Sequence, residues 1–280
     1  MVKSKCKTMT LGSLPVESWE EALSLQKMVG VDIVTCGLPC GGFVDVYANK
    51  MPGIRKIGDR YYLDTDALRY APVCSECLSR IKNKADKPLK AIIPGPATFL
   101  SVVRCDNLKL ALEKLTEVMI EEVEAMERSG ADFIQINEPI LSKIYPVPRP
   151  FIQAINKIAN SVRVPTILHV CGDISSFAHY VPIIDVEMIS LEFAGLPKNF
   201  EVLTPDLFSG KKIVLGCIST KSEVEHVNEI KEVVERGVDL FGSEIMLSSD
   251  CGFAKTPRDI AIRKMKNMVG VSKGMLFRNL

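Results

Sequence analysis

Short, strongly apolar runs alternate along the chain with longer stretches in which apolar and charged residues repeat with helical spacing. The apolar runs end in polar or glycine-containing turns, which is the pattern of buried strands. They predict eight strands, at Thr8–Ser13, Val31–Cys36, Leu89–Pro94, Asp132–Asn137, Thr166–Cys171, Met188–Glu192, Ile213–Ile218 and Leu240–Ile245. Helical spacing is clearest at Ser18–Met28, Leu108–Ser129 and Glu223–Arg236.

This alternation predicts an α/β fold with a parallel sheet, because parallel strands need long crossover connections. Eight units favour a single closed (β/α)8 TIM barrel over residues 1–280, rather than an open doubly wound sheet. The segment Gly37–Pro88 is too long for an ordinary connection. We expect it to form an excursion between the second and third strands, as a lid or as a flank of the active site.

Composition and charge narrow the class of protein. The chain is 47% hydrophobic and 25% charged, and its net charge of +1 gives no reason to expect nucleic acid or an anionic membrane as partner. The longest apolar stretch, Ala91–Val103, is too short and too interrupted to cross a bilayer, and the N-terminus lacks the apolar segment of a secretory signal. Nine cysteines, an odd number, favour reduced thiols in a cytoplasmic protein over a disulfide scaffold.

Four potential metal ligands lie at or just beyond predicted strand ends. His169 and Cys171 are two residues apart at the end of the fifth strand, so their side chains face the same side. Glu192 ends the sixth strand in an apolar run, where a carboxylate needs a partner. Cys251 follows the eighth strand. Because barrel strands end on one face, the four residues predict a zinc site with nitrogen, sulfur and oxygen ligands.

A second metal site is an open alternative. Cys74 and Cys77 form a CxxC pair, which Cys36 and Cys40 could join as a structural zinc site. No GxGxxG or Walker sequence is present, and this weighs against an enzyme that uses a dinucleotide or a nucleoside triphosphate.

Six short motifs resemble the catalytic C-terminal barrel of cobalamin-independent methionine synthase, including its short archaeal forms. They are GSLP (12–15), PGPAT (94–98), QINEP (135–139), LHVCGD (168–173), SLEF (190–193) and SSDCGF (248–253). The last three resemble the segments that supply the zinc ligands of that family. The resemblance covers nearly the whole chain. It implies a zinc-activated thiol that takes a methyl group from a folate or a methylcorrinoid, while related zinc barrels built like uroporphyrinogen decarboxylase methylate coenzyme M.

Three positions depart from the family pattern. The family holds the amino group of homocysteine with two carboxylates, where this chain has Leu38 and Asn137, and Lys221 stands where the family has a catalytic histidine. Because an ammonium group prefers carboxylate partners, these changes predict a small anionic thiol such as coenzyme M as the acceptor. The short barrel also led us to expect a methylcorrinoid donor, with a corrinoid protein as a candidate partner.

The sequence therefore predicts a zinc-dependent S-methyltransferase. Its expected acceptor site contains Ser13, Leu38 and Asn137, and its candidate catalytic residues are Lys221, Glu138 and Asp250, the last as an anchor beside the metal ligands. One alternative is a methionine synthase that methylates homocysteine from methylcobalamin or methyltetrahydrofolate. A second alternative is a non-catalytic protein that binds zinc or a corrinoid, and a third is a uroporphyrinogen decarboxylase, which the cysteines make improbable.

Overall fold

A computed structural model describes residues 6–36, 43–208, 210–220 and 223–274. Its strands are β1 (Val34–Thr35), β2 (Ile54–Ile57), β3 (Arg60–Leu63), β4 (Leu89–Pro94), β5 (Val103–Arg104), β6 (Phe133–Asn137), β7 (Thr166–Val170), β8 (Met188–Glu192), β9 (Lys212–Ile218) and β10 (Met246–Ser249). Its helices are α1 (Trp19–Val29), α2 (Phe43–Ala48), α3 (Cys74–Ile81), α4 (Pro96–Val102), α5 (Leu108–Arg128), α6 (Arg149–Ala159), α7 (Asn199–Val202), α8 (Pro205–Phe208), α9 (Val227–Phe241) and α10 (Arg258–Gly274).

The main sheet has seven strands in the order β1-β4-β6-β7-β8-β9-β10, and every neighbouring pair is parallel. Its central strands are buried along their whole length, as expected for strands covered on both faces. This confirms the predicted α/β fold with a parallel sheet. The carboxyl ends of all seven strands lie along one edge, where the polar residues after the strands can meet.

The first predicted strand, Thr8–Ser13, is present only as two isolated bridges. Thr8 pairs in parallel with Leu247 of β10, and Met9 pairs in parallel with Ile33 beside β1. The backbone N–H of Met9 donates to the carbonyl of Leu247 at 2.9 Å. The seven-stranded sheet is therefore established, and residues 8–9 lie between its two outer edges through these bridges.

The prediction of an eighth strand at Leu240–Ile245 is wrong. Helix α9 continues to Phe241, and Gly242 turns the chain with a φ of 81°. The strand begins only at Met246. Phe241 belongs to the helix because its ring packs against Phe193 and Phe208. Of the apolar residues that suggested a strand, Leu240 and Phe241 end helix α9, and Ile245 directly precedes β10.

The segment between the second and third predicted strands has structure of its own. Beyond residues 37–42, which lie outside the described ranges, it contains α2, the antiparallel pair β2–β3, and α3. Strand β3 also pairs with β5, giving a separate three-stranded sheet. The carboxylate of Glu122 on α5 accepts the backbone N–H groups of Val73, Cys74 and Ser75 at 2.7–3.2 Å, which fastens the start of α3 to the main body.

Two of the three predicted helices, α1 and α5, begin and end within one residue of their predicted bounds, whereas the helix predicted at Glu223–Arg236 lies at Val227–Phe241. The hydroxyl of Ser18 accepts the N–H of Glu21 at the start of α1, and Gly30 ends that helix with a φ of 88°. Asn107 accepts the N–H of Leu110 at the start of α5. In the described part of the chain, no helix combines the length and the apolar character needed to span a bilayer.

Candidate metal centre

His169 and Cys171 lie together at the carboxyl end of β7. His169 is the fourth residue of the strand and is 2% exposed, and Cys171 follows the last strand residue. In register, His169 pairs with Asn137 on β6 and with Ser190 on β8. The side chains of residues i and i+2 of a strand lie on the same side, so the imidazole and the thiol face one region.

Cys251 completes a cluster of three ligand atoms. It lies two residues beyond β10, and one ligand atom each of His169, Cys171 and Cys251 lies within 4.8 Å of the others. Within the described ranges, no other three histidine, cysteine or acidic side chains meet the same criterion. The structure therefore brings together three of the four residues predicted to bind metal.

The two ring nitrogens of His169 have different surroundings. Nδ1 lies 3.1 Å from the hydroxyl oxygen of Ser190, which fixes the orientation of the ring. Nε2 is buried and has no hydrogen-bond partner among the described residues. A buried polar atom without a partner is costly, and a ligating nitrogen oriented through its other nitrogen is the usual arrangement at a zinc site.

The two thiols of the cluster have pKa values that are shifted in opposite directions. The hydrogen bond from Cys171 and, after it, the proximity of His169 lower the pKa of Cys251 to about 4, against the opposing effect of burial. The hydrogen bond to Cys251 and burial hold the pKa of Cys171 well above its ordinary value. Cys251 is thus the thiol of the pair that loses its proton more readily. Thiolate with imidazole is a donor set that zinc binds well.

Glu192, the fourth predicted ligand, stands beside the cluster rather than within it. Its Oε2 accepts the backbone N–H of Gly172 at 2.9 Å, and its charge contributes to the raised pKa of Cys171. Gly172 follows Cys171 with a φ of 88°, a conformation that favours glycine. The carboxylate of Glu192 therefore fixes the turn that carries Cys171, and it lies outside the group of three mutually close ligand atoms.

Asp250 supports the turn that follows Glu192. Its carboxylate accepts the backbone N–H groups of Phe193, Ala194 and Gly195 at 2.6–3.2 Å. Burial is the main cause that raises the pKa of Asp250 to about 7, and the charge of Glu192 acts in the same direction. Asp250 precedes Cys251, so this carboxylate connects the segment that carries Cys251 with the end of β8.

The carboxylate of Glu138, a residue that follows β6, contacts the start of helix α4. Its two carboxylate oxygens accept the N–H groups of Ala97 and Thr98, at 2.8 and 2.7 Å, in the first turn of α4. Burial raises the pKa of Glu138 to about 7, although these hydrogen bonds oppose the shift. Neither Glu138 nor Asp250 is among the residues that line the cavity described next.

A cavity of about 470 Å³ opens beside the cluster. It is lined by the three clustered residues and by the predicted acceptor residues Ser13 and Asn137. Two other predicted residues, Leu38 and Lys221, lie outside the described ranges. Sequence reasoning missed several lining residues, among them Leu11, Thr220, Lys255 and Thr256. Lys255 and Thr256 follow the SSDCGF motif closely, and that proximity was the available signal.

A larger groove of about 750 Å³ lies elsewhere, between α5 and α6 on the outside of the sheet. Its lining includes Leu112, Ile120 and Phe151, and it contains no histidine or cysteine. Volume alone would favour this groove. The smaller cavity is nevertheless the better candidate for the functional site. Clustered ligand atoms with a perturbed thiol pKa indicate a functional site more specifically than the volume of an apolar groove does.

The alternative second metal site is partly described. The sulfur atoms of Cys36 and Cys74 lie 2.8 Å apart, and both residues are buried. Cys77 is also buried, but these residues do not form a group of three mutually close ligand atoms within the described ranges. Cys40 falls outside the described residues.

Comparisons with known proteins agree on one family. The family model described as cobalamin-independent synthase, catalytic domain, matches residues 13–274. A methionine synthase of Methanothermobacter marburgensis is 32% identical over 269 residues, covering 89% of this chain and 86% of that protein. A 5-methyltetrahydropteroyltriglutamate–homocysteine methyltransferase of Thermotoga maritima is 27% identical, covering 92% of this chain but 39% of its own.

Solved structures show the same fold. A B12-independent methionine synthase from a Shewanella species, in complex with selenomethionine, superimposes with a TM-score of 0.85 at 18% identity, covering 96% of this chain and 97% of that one. A methyltransferase from Methanosarcina mazei has a TM-score of 0.68 at 19% identity, covering 96% and 94%.

These findings correct the predicted donor, cofactor and acceptor. The family is described as cobalamin-independent, so a methylcorrinoid cofactor is wrong and a corrinoid protein partner has no support. The relatives are methionine synthases and a homocysteine methyltransferase, which contradicts an acceptor such as coenzyme M. That prediction rested on the charges at Leu38, Asn137 and Lys221, and a count of charged groups does not reveal how the remaining polar atoms are oriented. The chain is a member of the cobalamin-independent methionine synthase family and comprises its catalytic domain.

Proposed function

We propose that this protein is a zinc-dependent methyltransferase that transfers a methyl group to the sulfur of homocysteine. The observation that carries the proposal is the cluster of His169, Cys171 and Cys251, which lies in the wall of a cavity at the carboxyl ends of the strands. The cavity volume of about 470 Å³ is within the usual range for a small-molecule site. Relatives named methionine synthase support homocysteine as the acceptor.

The residues present fit a zinc ion. His169 offers a buried nitrogen without a partner among the described residues, and Cys171 and Cys251 offer sulfur atoms, of which that of Cys251 has a lowered pKa. Glu192, whose carboxylate adjoins Cys171, is the proposed oxygen ligand. When bound, zinc would supply the Lewis acidity that keeps a coordinated thiol deprotonated at neutral pH.

The protein's own residues hold this arrangement and shape the cavity beside it. Ser190 fixes the imidazole of His169 through Nδ1, and Asp250 holds the turn after Glu192 through three backbone hydrogen bonds. We assign Asp250 and Glu138 positioning roles, because each binds backbone N–H groups and neither lines the cavity. Ser13 and Asn137 line the cavity where the acceptor would lie.

The methyl donor is inferred from the relatives alone. The Thermotoga maritima protein is named for 5-methyltetrahydropteroyltriglutamate, and we propose a donor of this methylated folate class. In the transfer, a bond forms between the sulfur of homocysteine and the methyl carbon, and the bond between that carbon and the pterin nitrogen breaks. The thiol gives up its proton on binding, and the departing nitrogen takes one up.

Two structural inferences accompany this function. The isolated bridges of Thr8 to Leu247 and of Met9 to Ile33 support residues 8–9 as the eighth strand position of a (β/α)8 barrel. The backbone N–H of Leu247 also donates to the carbonyl of Lys7 at 2.8 Å. We further propose that residues 1–280 form one domain, in which the Gly37–Pro88 segment is an elaboration of the barrel.

The test is the formation of methionine from homocysteine and 5-methyltetrahydropteroyl glutamates, measured by mass spectrometry. The Cys251→Ser variant should lose zinc and at least about a hundredfold in rate, since loss of even a residue that only supports a ligand typically costs about 10–100-fold. The matched control is Cys105→Ser, a half-buried cysteine that does not line the cavity, which should keep both zinc and activity. Zinc binding without methionine formation would instead support a binding protein.

A further inference from the structure

A lysine buried in the middle of the sheet begins a chain of hydrogen bonds that ends at the cavity. The side chain of Lys90 on β4 is fully buried, and its ammonium donates to the carbonyls of Thr10 (2.7 Å) and Leu11 (3.2 Å). It also donates to Oε1 of Gln135 on β6. Three acceptors use all three N–H groups of an ammonium, so the side chain is fully satisfied in its charged form.

The amide of Gln135 can have only one orientation. Its Nε2 donates to the carbonyl of Leu11 at 2.9 Å, an oxygen that can only accept, and its Oε1 accepts from the side-chain nitrogen of Lys90. Burial lowers the pKa of Lys90 to about 7, but the orientation does not depend on the charge of that residue. Turning the amide over would place its oxygen against the carbonyl oxygen of Leu11.

The orientation of Gln135 determines that of Asn137. The second N–H of Gln135 Nε2 donates to Oδ1 of Asn137 at 2.7 Å, so the oxygen of Asn137 is engaged. Its amide nitrogen is left with two N–H donors and has no partner among the described residues. Asn137 lines the cavity and pairs in register with His169, so these donors lie beside the metal-ligating residues.

The other residues that line the cavity also favour a negatively charged ligand group. None of the described residues that line it is acidic, and Lys255 is a cation on its rim. Ser13 adds a hydroxyl group. An amide with two free donors near a cation suits a carboxylate, whereas a substrate ammonium would find no acidic partner among these residues.

We propose that the side chain of Asn137 donates hydrogen bonds to the carboxylate of the acceptor thiol, and that Gln135 and Lys90 hold it in that orientation. The inference deepens the proposed function and rests on it, because it assigns which group of homocysteine is recognised and by which atom. Asn137 is the specificity-determining residue, and Gln135 and Lys90 are positioning residues.

The first experiment uses unaltered, zinc-loaded protein and three thiols. Homocysteine is compared with 4-mercaptobutanoate, which lacks the amino group, and with 3-aminopropane-1-thiol, which lacks the carboxylate. Affinity is measured by titration calorimetry, which does not require turnover. Because a charge-assisted hydrogen bond contributes about 1.5–3 kcal/mol, we expect 4-mercaptobutanoate to bind at least about tenfold more tightly than the aminothiol. The opposite order would overturn the proposal.

The second experiment reverses the polarity of the contact. Asn137→Asp keeps the acceptor for Gln135 but replaces the free donors with a second carboxylate oxygen. The Kd and KM for both carboxylate-containing thiols should rise at least about tenfold, whereas those for 3-aminopropane-1-thiol should stay level or fall. Gln153→Glu, the same chemical change in the outer groove between α5 and α6, is the matched control and should change neither.

A third variant tests the hydrogen bonds that run from Lys90 through Gln135 to Asn137, and it leaves Asn137 itself unchanged. In Gln135→Glu, the new carboxylate cannot donate to Asn137, so the amide of Asn137 should turn and present its oxygen to the cavity. The carboxylate thiols should again lose affinity selectively, with zinc content unchanged. Equal losses for all three thiols in both variants would contradict the proposal. If calorimetry gives the predicted affinities for the three thiols and the two variants but no methyl transfer is detected, this inference is supported and the proposed function is overturned.

Discussion

His169 is the residue whose environment is most specific to the proposed centre. A buried histidine in a protein core normally satisfies both ring nitrogens, but among the described residues Nδ1 alone has a partner, the hydroxyl of Ser190. The orientation of the ring therefore depends on one hydrogen bond at 3.1 Å. Partners of this kind fix the tautomer and make the ligating nitrogen more basic, so a substitution of Ser190 should lower the affinity for zinc.

Ser190→Ala should weaken zinc binding by about tenfold, because the ring of His169 loses the hydroxyl group that orients it. Competition with a chelator of known affinity measures this effect. Ser248→Ala is the matched control, since the hydroxyl of Ser248 is equally buried but has no hydrogen-bond partner in the described part of the chain. The control should retain full zinc affinity and gain slightly in stability. Equal zinc affinity in the two variants would contradict the role assigned to Ser190.

At the scale of elements, buried carboxylates hold the amino ends of two helices. Glu138 binds the first turn of α4, and Glu122 binds the start of α3. The backbone N–H groups at a helix start have no partner within the helix and carry partial positive charge. Each glutamate therefore joins one helix to a neighbouring element, and each gives a measurable consequence.

Glu138 should make stability depend on pH. Its pKa is about 7 in the folded protein against an ordinary value of 4.5, so the folded state retains the proton over a range where the unfolded chain releases it. The stabilisation is complete below pH 4.5 and is lost as the pH rises to about 7, a change of about 3 kcal/mol. Glu138→Gln should remove this component from the free energy of unfolding measured by denaturant titration.

Glu138→Gln should reduce the dependence of the free energy of unfolding on pH without abolishing it. Asp250 also has its pKa raised to about 7, so it contributes a slope of the same sign that remains in the variant. Glu121→Gln, an exposed position on α5, is the control and should reproduce the slope of the unaltered protein. The same slope in Glu138→Gln would show that this carboxyl does not titrate between these pH values.

Glu122 should determine how firmly α3 is attached. In Glu122→Ala, three backbone N–H groups at residues 73–75 lose their acceptor. Hydrogen exchange in α3 should accelerate by at least about tenfold, while β7 and β8 keep their protection. Glu121→Ala, the exposed neighbour, should leave both regions unchanged. Acceleration throughout the main sheet would instead mean that the two parts unfold as one unit.

At the scale of the whole molecule, the sequence was most informative where strands are continuous and buried. Strands β4 and β8 have the predicted bounds, because parallel strands covered on both faces are unbroken apolar runs. The strand after α9 was misplaced because the apolar face of a helix end and the start of a strand are adjacent there. Periodicity alone does not separate such neighbours.

The residues of the proposed zinc site were predictable for a related reason. Strand-end placement made His169, Cys171 and Cys251 candidates, since parallel strands end on one face, and the structure brings these three together. The contacts that orient them were not predictable. The pairing of Ser190 with His169 follows from strand register, and the relay from Lys90 through Gln135 depends on which atoms of two amides face each other. Spacing in one sequence does not specify either property.

The most direct test of the central claim is X-ray absorption at the zinc edge, recorded on the zinc-loaded protein with and without saturating homocysteine. The proposed function places the acceptor sulfur on the ion held by His169, Cys171 and Cys251. Homocysteine should therefore add one sulfur neighbour to the zinc. A sulfur count that homocysteine leaves unchanged, under conditions in which methionine is formed, would contradict thiol activation at this centre.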